Sequence, residues 1–192
     1  AGAFELLERR WSPLCRIDVY GIPGGEQYIV CQDGDAPTTM RRAGAAAEEA
    51  HVRTPYALGY RLFDGAPRRP DVLIIGPGGG PDIVQALRNR AGSITGVEIN
   101  AVIAELMRGE FRDYTGDLYG RPGVEVHVAE GRSFLRRSAR RYDLIQMTGT
   151  DTYAALSSGA AFRVFSNCPG LSQPAKIAWL RSCAMASSRA CG

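Results

Sequence analysis

The chain has almost no lysine and almost no histidine. Lys176 is the single lysine among 23 basic residues, and His51 and His127 are the two histidines. Arginine therefore carries nearly all the positive charge, which with abundant alanine and glycine reads as GC-rich coding and not as a function. Twenty acidic residues are interspersed with the basic ones, leaving a formal net charge of +3. That balance does not suggest a nucleic-acid protein. Arg136-Arg137 and Arg140-Arg141 lie beside an apolar "SFL" and read as the solvated end of a helix. The five cysteines (Cys15, Cys31, Cys168, Cys183, Cys191) are odd in number and form no CxxC pair, so neither a zinc site nor a disulfide framework is indicated. A reducing compartment, the cytoplasm, is the expectation. No run approaches the roughly 18 apolar residues of a membrane span, and no signal-peptide pattern is present. What is there, 192 residues of which 45% are hydrophobic, suffices for one core.

Residues 1–70 read as a small N-terminal region. "RIDVY" and "QYIV", joined by "GIPGGE" and closed by "DGD", predict a β-hairpin. An alanine-rich patch and the linker "DGAPRRP" follow. Residues 71–160 then alternate: strand 72–75, helix 82–91, strand 94–98, helix 101–111, strand 124–128, helix 131–138, strand 142–147. Such alternation implies right-handed βαβ units, hence an α/β fold with a Rossmann-like, doubly wound parallel sheet. Residues 161–192 read as an irregular tail with at most one short helix around Ile177 to Met185.

The first unit carries the chemistry. In "DVLIIGPGGGPD" the apolar run Val72 to Ile75 ends abruptly at Gly76, Pro77, Gly78, Gly79 and Gly80, and a helix pattern with Ile83, Val84 and Leu87 on one face follows. Glycines at a strand-to-helix joint let a ligand approach the backbone. The next strand, "ITGVEIN", ends in Glu98, where a carboxylate can accept hydrogen bonds from both hydroxyls of a ribose lying over the loop. The third, "VEVHVAEGRSFL", ends in Glu130, which would then lie near the base; capping the helix that starts at Gly131 is the competing use. Two acids at successive strand ends suit an adenosyl ligand without phosphates. His127, alternating with Val126 and Val128, reads as structural, and His51 as a surface residue; Tyr56 and Tyr153 could line a pocket or simply pack.

"VLIIGPGGGPD", "GVEIN", "DLYGRPGVEVHVAEGRSFLRR" and "RYDLIQMTGTD" resemble the spermidine/spermine synthase family, a branch of the class I S-adenosylmethionine-dependent methyltransferase fold. "SPLCRIDV" and "IVCQDGD" are similar to the small β domain that precedes it there. The resemblance covers roughly residues 10 to 160 and is specific from 71 to 151. It implies polyamine biosynthesis, with S-adenosylmethionine or its decarboxylated form as cofactor and a small-molecule amine as acceptor. The cofactor pocket it implies is built from Gly76, Gly78, Gly80, Asp82, Glu98, Ile99, Glu130 and Gly131. A homodimer is admitted; nucleic acid and a membrane span are not expected.

The acceptor side departs from the family. A carboxylate expected right after the fourth strand is Thr148 here, and Asp151 is the acid that remains, so Thr148 and Asp151 are the catalytic candidates. Gly79 occupies the place of an aspartate for the aminopropyl amine, with Asp82 the nearest carboxylate. The upstream Tyr-Gln pair is Leu14-Cys15, and "AAAEEAHVRTPYALGY" has no clear counterpart of the Tyr-His-Glu segment. A nucleoside-binding or regulatory module without turnover is therefore the alternative function, and a nicotinamide-dependent dehydrogenase a distant third. Finally, no four-residue run of β-branched or aromatic residues occurs between 160 and 192. The expectation is a domain that has lost its C-terminal half, by truncation or a reading-frame change near Ala161, leaving the fourth strand as an exposed edge.

Overall fold

Asp33 and Gly34 have φ of 51° and 81°, the left-handed pair that a two-residue type I′ hairpin requires and that Asp-Gly adopts at low cost. In a computed structural model describing residues 4–44, 55–148 and 176–180, that turn joins the last two of four antiparallel strands. These are β1 (Glu5–Trp11), β2 (Arg16–Gly21), β3 (Gln27–Gln32) and β4 (Asp35–Arg41), paired in chain order. The expected hairpin is β2–β3, and it is extended by one strand on each side. Both additions escape a search for apolar runs because they are edges. β1 carries Glu8, Arg9 and Arg10, and β4 contains Pro37; charge and proline are what a sheet tolerates at its margins.

The α/β part follows the expected alternation with helix ends trimmed. Its strands are β5 (Asp71–Ile75), β6 (Ser93–Glu98), β7 (Val124–Val128), β8 (Leu144–Thr148) and β9 (Lys176–Leu180). Its helices are α1 (Pro81–Arg88), α2 (Ala101–Arg108), the single turn α3 (Arg112–Thr115) and α4 (Gly131–Arg137). A 3-10 segment, Pro55–Phe63, precedes β5. All five strands are parallel, in the order β7-β6-β5-β8-β9. The apolar run Val72, Leu73 and Ile74 is wholly buried, as a central strand covered on both faces must be. Because the chain winds outward from β5 in both directions, the order reverses between β5 and β8. In open α/β sheets that is where ligands bind, outside the carboxyl ends of the strands.

Two expectations for the chain end, the exposed fourth strand and the short helix, need correction. β9 pairs with β8 along its full length, from Leu144 opposite Lys176 to Thr148 opposite Leu180. The fourth strand is therefore not an exposed edge, and a strand begins where a short helix was expected. "KIAWL" escaped the search because Lys176 and Ala178 interrupt its β-formers, while a fifth parallel strand needs only a marginal pattern once β8 offers a template. Asp151, Tyr153, His51 and the alanine-rich patch lie outside the described residues. Among the described residues, no helix is long and apolar enough to cross a membrane.

The two sheets share one core. Ile17, Val19, Val30 and Met40 from the N-terminal sheet pack into the cluster that holds Val72, Ile74, Ile83 and Leu106. Tyr28 of β3 stacks on Tyr114 of α3 with ring centroids 3.9 Å apart. Asn100, buried at the start of α2, donates to Ser12 Oγ at 3.1 Å and to Cys15 Sγ at 3.4 Å in the β1–β2 turn. These contacts seat the small sheet beside the glycine loop.

Candidate functional site

The loop after β5 spends its amides internally. Gly76 N–H donates to Val97 O at 2.9 Å and Gly80 N–H to Pro77 O at 2.8 Å. Gly78 N–H donates to Glu98 Oε2 at 3.1 Å, and Gly79 N–H to Thr38 Oγ1 at 3.1 Å. The carbonyl of Gly78 accepts from the Tyr119 hydroxyl at 2.7 Å. Such a loop has no free N–H from Gly76 to Gly80 for a pyrophosphate. Its glycines instead allow close packing: a Cβ at Gly79 would come within 2.4 Å of the Thr39 carbonyl oxygen, and one at Gly80, where φ is 97°, within 2.2 Å of Leu118 Cδ2. An aspartate at position 79 is excluded by the same carbonyl. Gly79→Ala should consequently lower unfolding stability by about 1–3 kcal/mol, the usual cost of overpacking; denaturant titration of the two proteins measures it, and an unchanged midpoint would contradict the packing described.

Glu98 sits at the carboxyl end of β6, buried, and both its oxygens are engaged. Asn100 N–H donates to Oε1 at 2.9 Å, opposite the Gly78 bond to Oε2. Burial pushes its carboxyl above the ordinary value, against the lowering effect of the Asn100 and Gly78 amides. An ionised carboxylate offers about four acceptor positions, and the amides of Asn100, Gly78 and Ile99 that act on Glu98 leave room for a hydroxyl. Beside it Ile99 is 42% exposed, an apolar side chain left uncovered at the rim of the crevice. Val128, at the end of β7 opposite Glu98, is likewise exposed.

Glu130 takes the competing role. Its two oxygens accept from Arg132 N–H and Ser133 N–H, each at 2.8 Å, and so cap α4. Partial burial would raise its carboxyl, but the Ser133 side chain, with the Arg132 and Ser133 amides, outweighs that and holds it below the ordinary value. Gly131 packs on β5: a Cβ there would meet Ile75 Cγ2 at 2.8 Å. His127 is half-exposed on the edge strand β7, with Nε2 3.1 Å from Glu125 Oε1; it is not the core histidine that the alternation suggested, because β7 ends the sheet.

A third group of residues meets between α1, β8 and the 3-10 segment. Asp82, in the first turn of α1, is 1% exposed. Its Oδ1 accepts from the Thr148 hydroxyl at 3.0 Å and from the Gln146 amide. Burial raises its pKa to about 7, against the Thr148 and Gln146 hydrogen bonds that lower it. Tyr60, buried in the 3-10 segment, is pushed well above its usual value, chiefly by burial and further by the Asp82 charge. Its hydroxyl has no partner among the described residues. Sequence reading singled out Asp82 and Thr148 separately and missed their contact, since 66 positions divide them. It also missed Tyr119, Thr38 and Gln146. Asn100 carried a usable signal, because an asparagine directly before a helix pattern is an N-cap, and its side chain does accept from Val102 N–H at 3.1 Å. Among the described residues, no cluster of histidine, cysteine, aspartate and glutamate could hold a metal ion.

No protein-family model matches the chain. Over 95 residues, half of its length, it is 26% identical to a polyamine aminopropyltransferase of Korarchaeum cryptofilum (strain OPF8), of which it covers 28%. The crystal structure of spermidine synthase from Thermotoga maritima matches with a TM-score of 0.56 and 23% identity, over 79% of this chain and 49% of that one. A spermidine synthase solved in complex with the transition-state analogue AdoDATO matches with a TM-score of 0.54 and 22% identity, over 74% and 45% respectively. The chain thus spans less than half the length of each of these proteins. The likeness shows the architecture: a Rossmann-like parallel sheet of the class I methyltransferase type behind an antiparallel N-terminal sheet, as in the spermidine synthases.

Proposed function

On that kinship we propose that the chain is a spermidine synthase-like transferase, which binds S-adenosylmethionine or its decarboxylated form and transfers an aminopropyl or methyl group to an amine. The observation that carries this reading is Glu98: a buried carboxylate held by the amides of Gly78 and Asn100, with room left for a hydroxyl and an exposed apolar neighbour in Ile99. A ribose diol fits such an acceptor, and a base fits against Ile99 and Val128. Gly76, half-buried at the mouth of the loop, borders the pocket, while Gly78 and Gly80 shape it from below and Gly131 keeps α4 close to β5. Glu130 contributes from its position as the α4 cap. The lack of a free loop amide between Gly76 and Gly80 argues against a dinucleotide.

When bound, the sulfonium supplies the driving force, because its departure as a neutral thioether makes the adjacent carbon electrophilic. The protein's part is to position an unprotonated amine against that carbon. Thr148, at the carboxyl end of β8, and Asp151 beyond it are the groups we assign to the acceptor. A threonine cannot hold a cation as a carboxylate does, so transfer by this chain is weak, and binding without turnover is the reading this residue favours. Calorimetry with S-adenosylmethionine, its decarboxylated analogue and methylthioadenosine, followed by an assay for amine-dependent release of methylthioadenosine, decides between them. Thr148→Asp should raise that release several-fold, with an optimum moved to higher pH because Asp82 would then face a second carboxylate. Robust starting activity with putrescine, undiminished in Asp151→Ala, would refute the assignment of roles.

A further inference from the structure

The acceptor side lacks the acid expected at the end of β8, yet Thr148, which stands in its place, is hydrogen-bonded to an acid from elsewhere in the fold. Thr148 is 8% exposed at the strand end, whereas Asp82 is 1% exposed behind it. The Thr148 hydroxyl points its proton at Asp82 Oδ1 over 3.0 Å. It also accepts a long contact from Gln146 Nε2 at 3.4 Å, and a hydroxyl has one more acceptor position to offer. Asp82 itself cannot reach a substrate, but a proton given to Thr148 can reach Asp82.

We propose that Asp82 is the proton acceptor for the incoming amine and acts through the Thr148 hydroxyl, replacing in space the carboxylate that the end of β8 lacks in sequence. The inference rests on the transferase reading above and assigns a residue to its acceptor half. An ammonium group donates one N–H to Thr148 Oγ1. The Thr148 hydroxyl proton moves to Asp82 Oδ1, and Oγ1 takes the ammonium proton, leaving a neutral amine, an intact threonine and a neutral carboxylic acid. The amine lone pair then forms the C–N bond as the C–S pair leaves on sulfur, giving the thioether and an alkylated ammonium; the proton on Asp82 is released to solvent afterwards.

Two features of the surroundings favour that transfer. Replacing an ammonium–carboxylate pair by two neutral groups removes charge from a buried site, where burial lowers the basicity of the amine and raises that of the acid. Among the described residues, the groups that face Asp82 are Gln146 and Thr148 from β8 and Tyr60 from the 3-10 segment, and no cation is among them. Only the Thr148 and Gln146 hydrogen bonds therefore favour its ionised form against the incoming proton, and burial outweighs them. The Tyr60 hydroxyl, which has no partner among the described residues, supplies a further polar group toward which the cluster can rearrange when the proton arrives.

The experiment uses the full chain with decarboxylated S-adenosylmethionine and putrescine, following methylthioadenosine release from pH 5.5 to 9, alongside calorimetric binding of methylthioadenosine. The parent rate should rise with pH through about 7, as Asp82 becomes available. Asp82→Asn, nearly isosteric and still an acceptor for Thr148 and Gln146, should lower the rate by about 100-fold or more and abolish that rising limb. Thr148→Val should do the same, whereas Thr148→Ser should keep the limb; methylthioadenosine titration of each variant separates a loss of rate from a loss of binding. An Asp82→Asn protein with the parent rate and pH profile overturns the inference, as does an active Thr148→Val. Methylthioadenosine binding without any amine-dependent release in the parent also overturns it while leaving the nucleoside site standing. Failure of the parent to bind methylthioadenosine overturns the transferase reading itself.

Discussion

Asp82→Asn is expected to be more stable than the parent chain above pH 7, by about 4 kcal/mol. The buried carboxyl has its pKa raised from an ordinary 3.8 to about 7 by desolvation. In the unfolded chain it ionises near 4. Between those two values the unfolded state binds fewer protons than the folded one, so stability falls as pH rises from about 4 to about 7 and levels off above. A shift of about three units corresponds to about 4 kcal/mol at 1.36 kcal/mol per unit. Asparagine removes the charge and keeps an acceptor for the Thr148 hydroxyl, so the variant should lack that component of the slope. Urea denaturation at pH 5 and pH 8 measures it. Equal losses between the two pH values in parent and variant would show that Asp82 is not the buried acid described. Paired with the rate loss inferred above, the result would mark Asp82 as a residue kept at a cost in stability, as groups retained for function often are.

Glu98→Ala should cost about 2–6 kcal/mol of stability and also disable the proposed nucleoside pocket. Truncation leaves the buried N–H groups of Gly78 and Asn100 without their acceptor, each worth about 1–3 kcal/mol when unsatisfied. Relief of a buried charge, whose carboxyl sits above the ordinary value, offsets part of that loss. Glu98→Gln keeps the size and one carbonyl oxygen, so it should fall between parent and alanine variant in stability. In both variants methylthioadenosine binding should weaken by about 1–3 kcal/mol or more. Chemical unfolding and calorimetry on the same samples separate the two effects, and an alanine variant with parent affinity removes Glu98 from the pocket.

The α/β half was legible because its signals are local. β5 is a continuous apolar run ended by glycines, Asn100 and Glu130 stand directly before their helices, and Glu98 follows a strand pattern by one step. Edges were not legible for the opposite reason. β1, β4 and β9 carry charge, proline or alanine where a pattern search wants branched residues, since what stabilises an edge is the neighbour it pairs with. The site divided along the same line. Glu98 and the loop are near in sequence as well as in space. The Asp82–Thr148 bond spans 66 positions, and only the adjacency of β5 and β8 in the sheet brings its two ends together. Glu130 illustrates a third case, in which one carboxylate fits two roles and only its geometry, both oxygens on the first amides of α4, shows the use it has.

The contact between Gly79 and Thr39 limits how the glycine loop could change. The atom that fills the space of a side chain at position 79 is a main-chain carbonyl oxygen, which is the same whatever residue stands at 39. A library that varies codon 79, or codons 79 and 39 together, therefore contains no variant with room for an aspartate. Room would come from sliding β4 along β3, and a strand slides by lengthening or shortening the Asp33-Gly34 turn. A route to an acid in the glycine loop thus runs through an insertion or deletion in a distant hairpin, a kind of step that drift by point mutation does not sample.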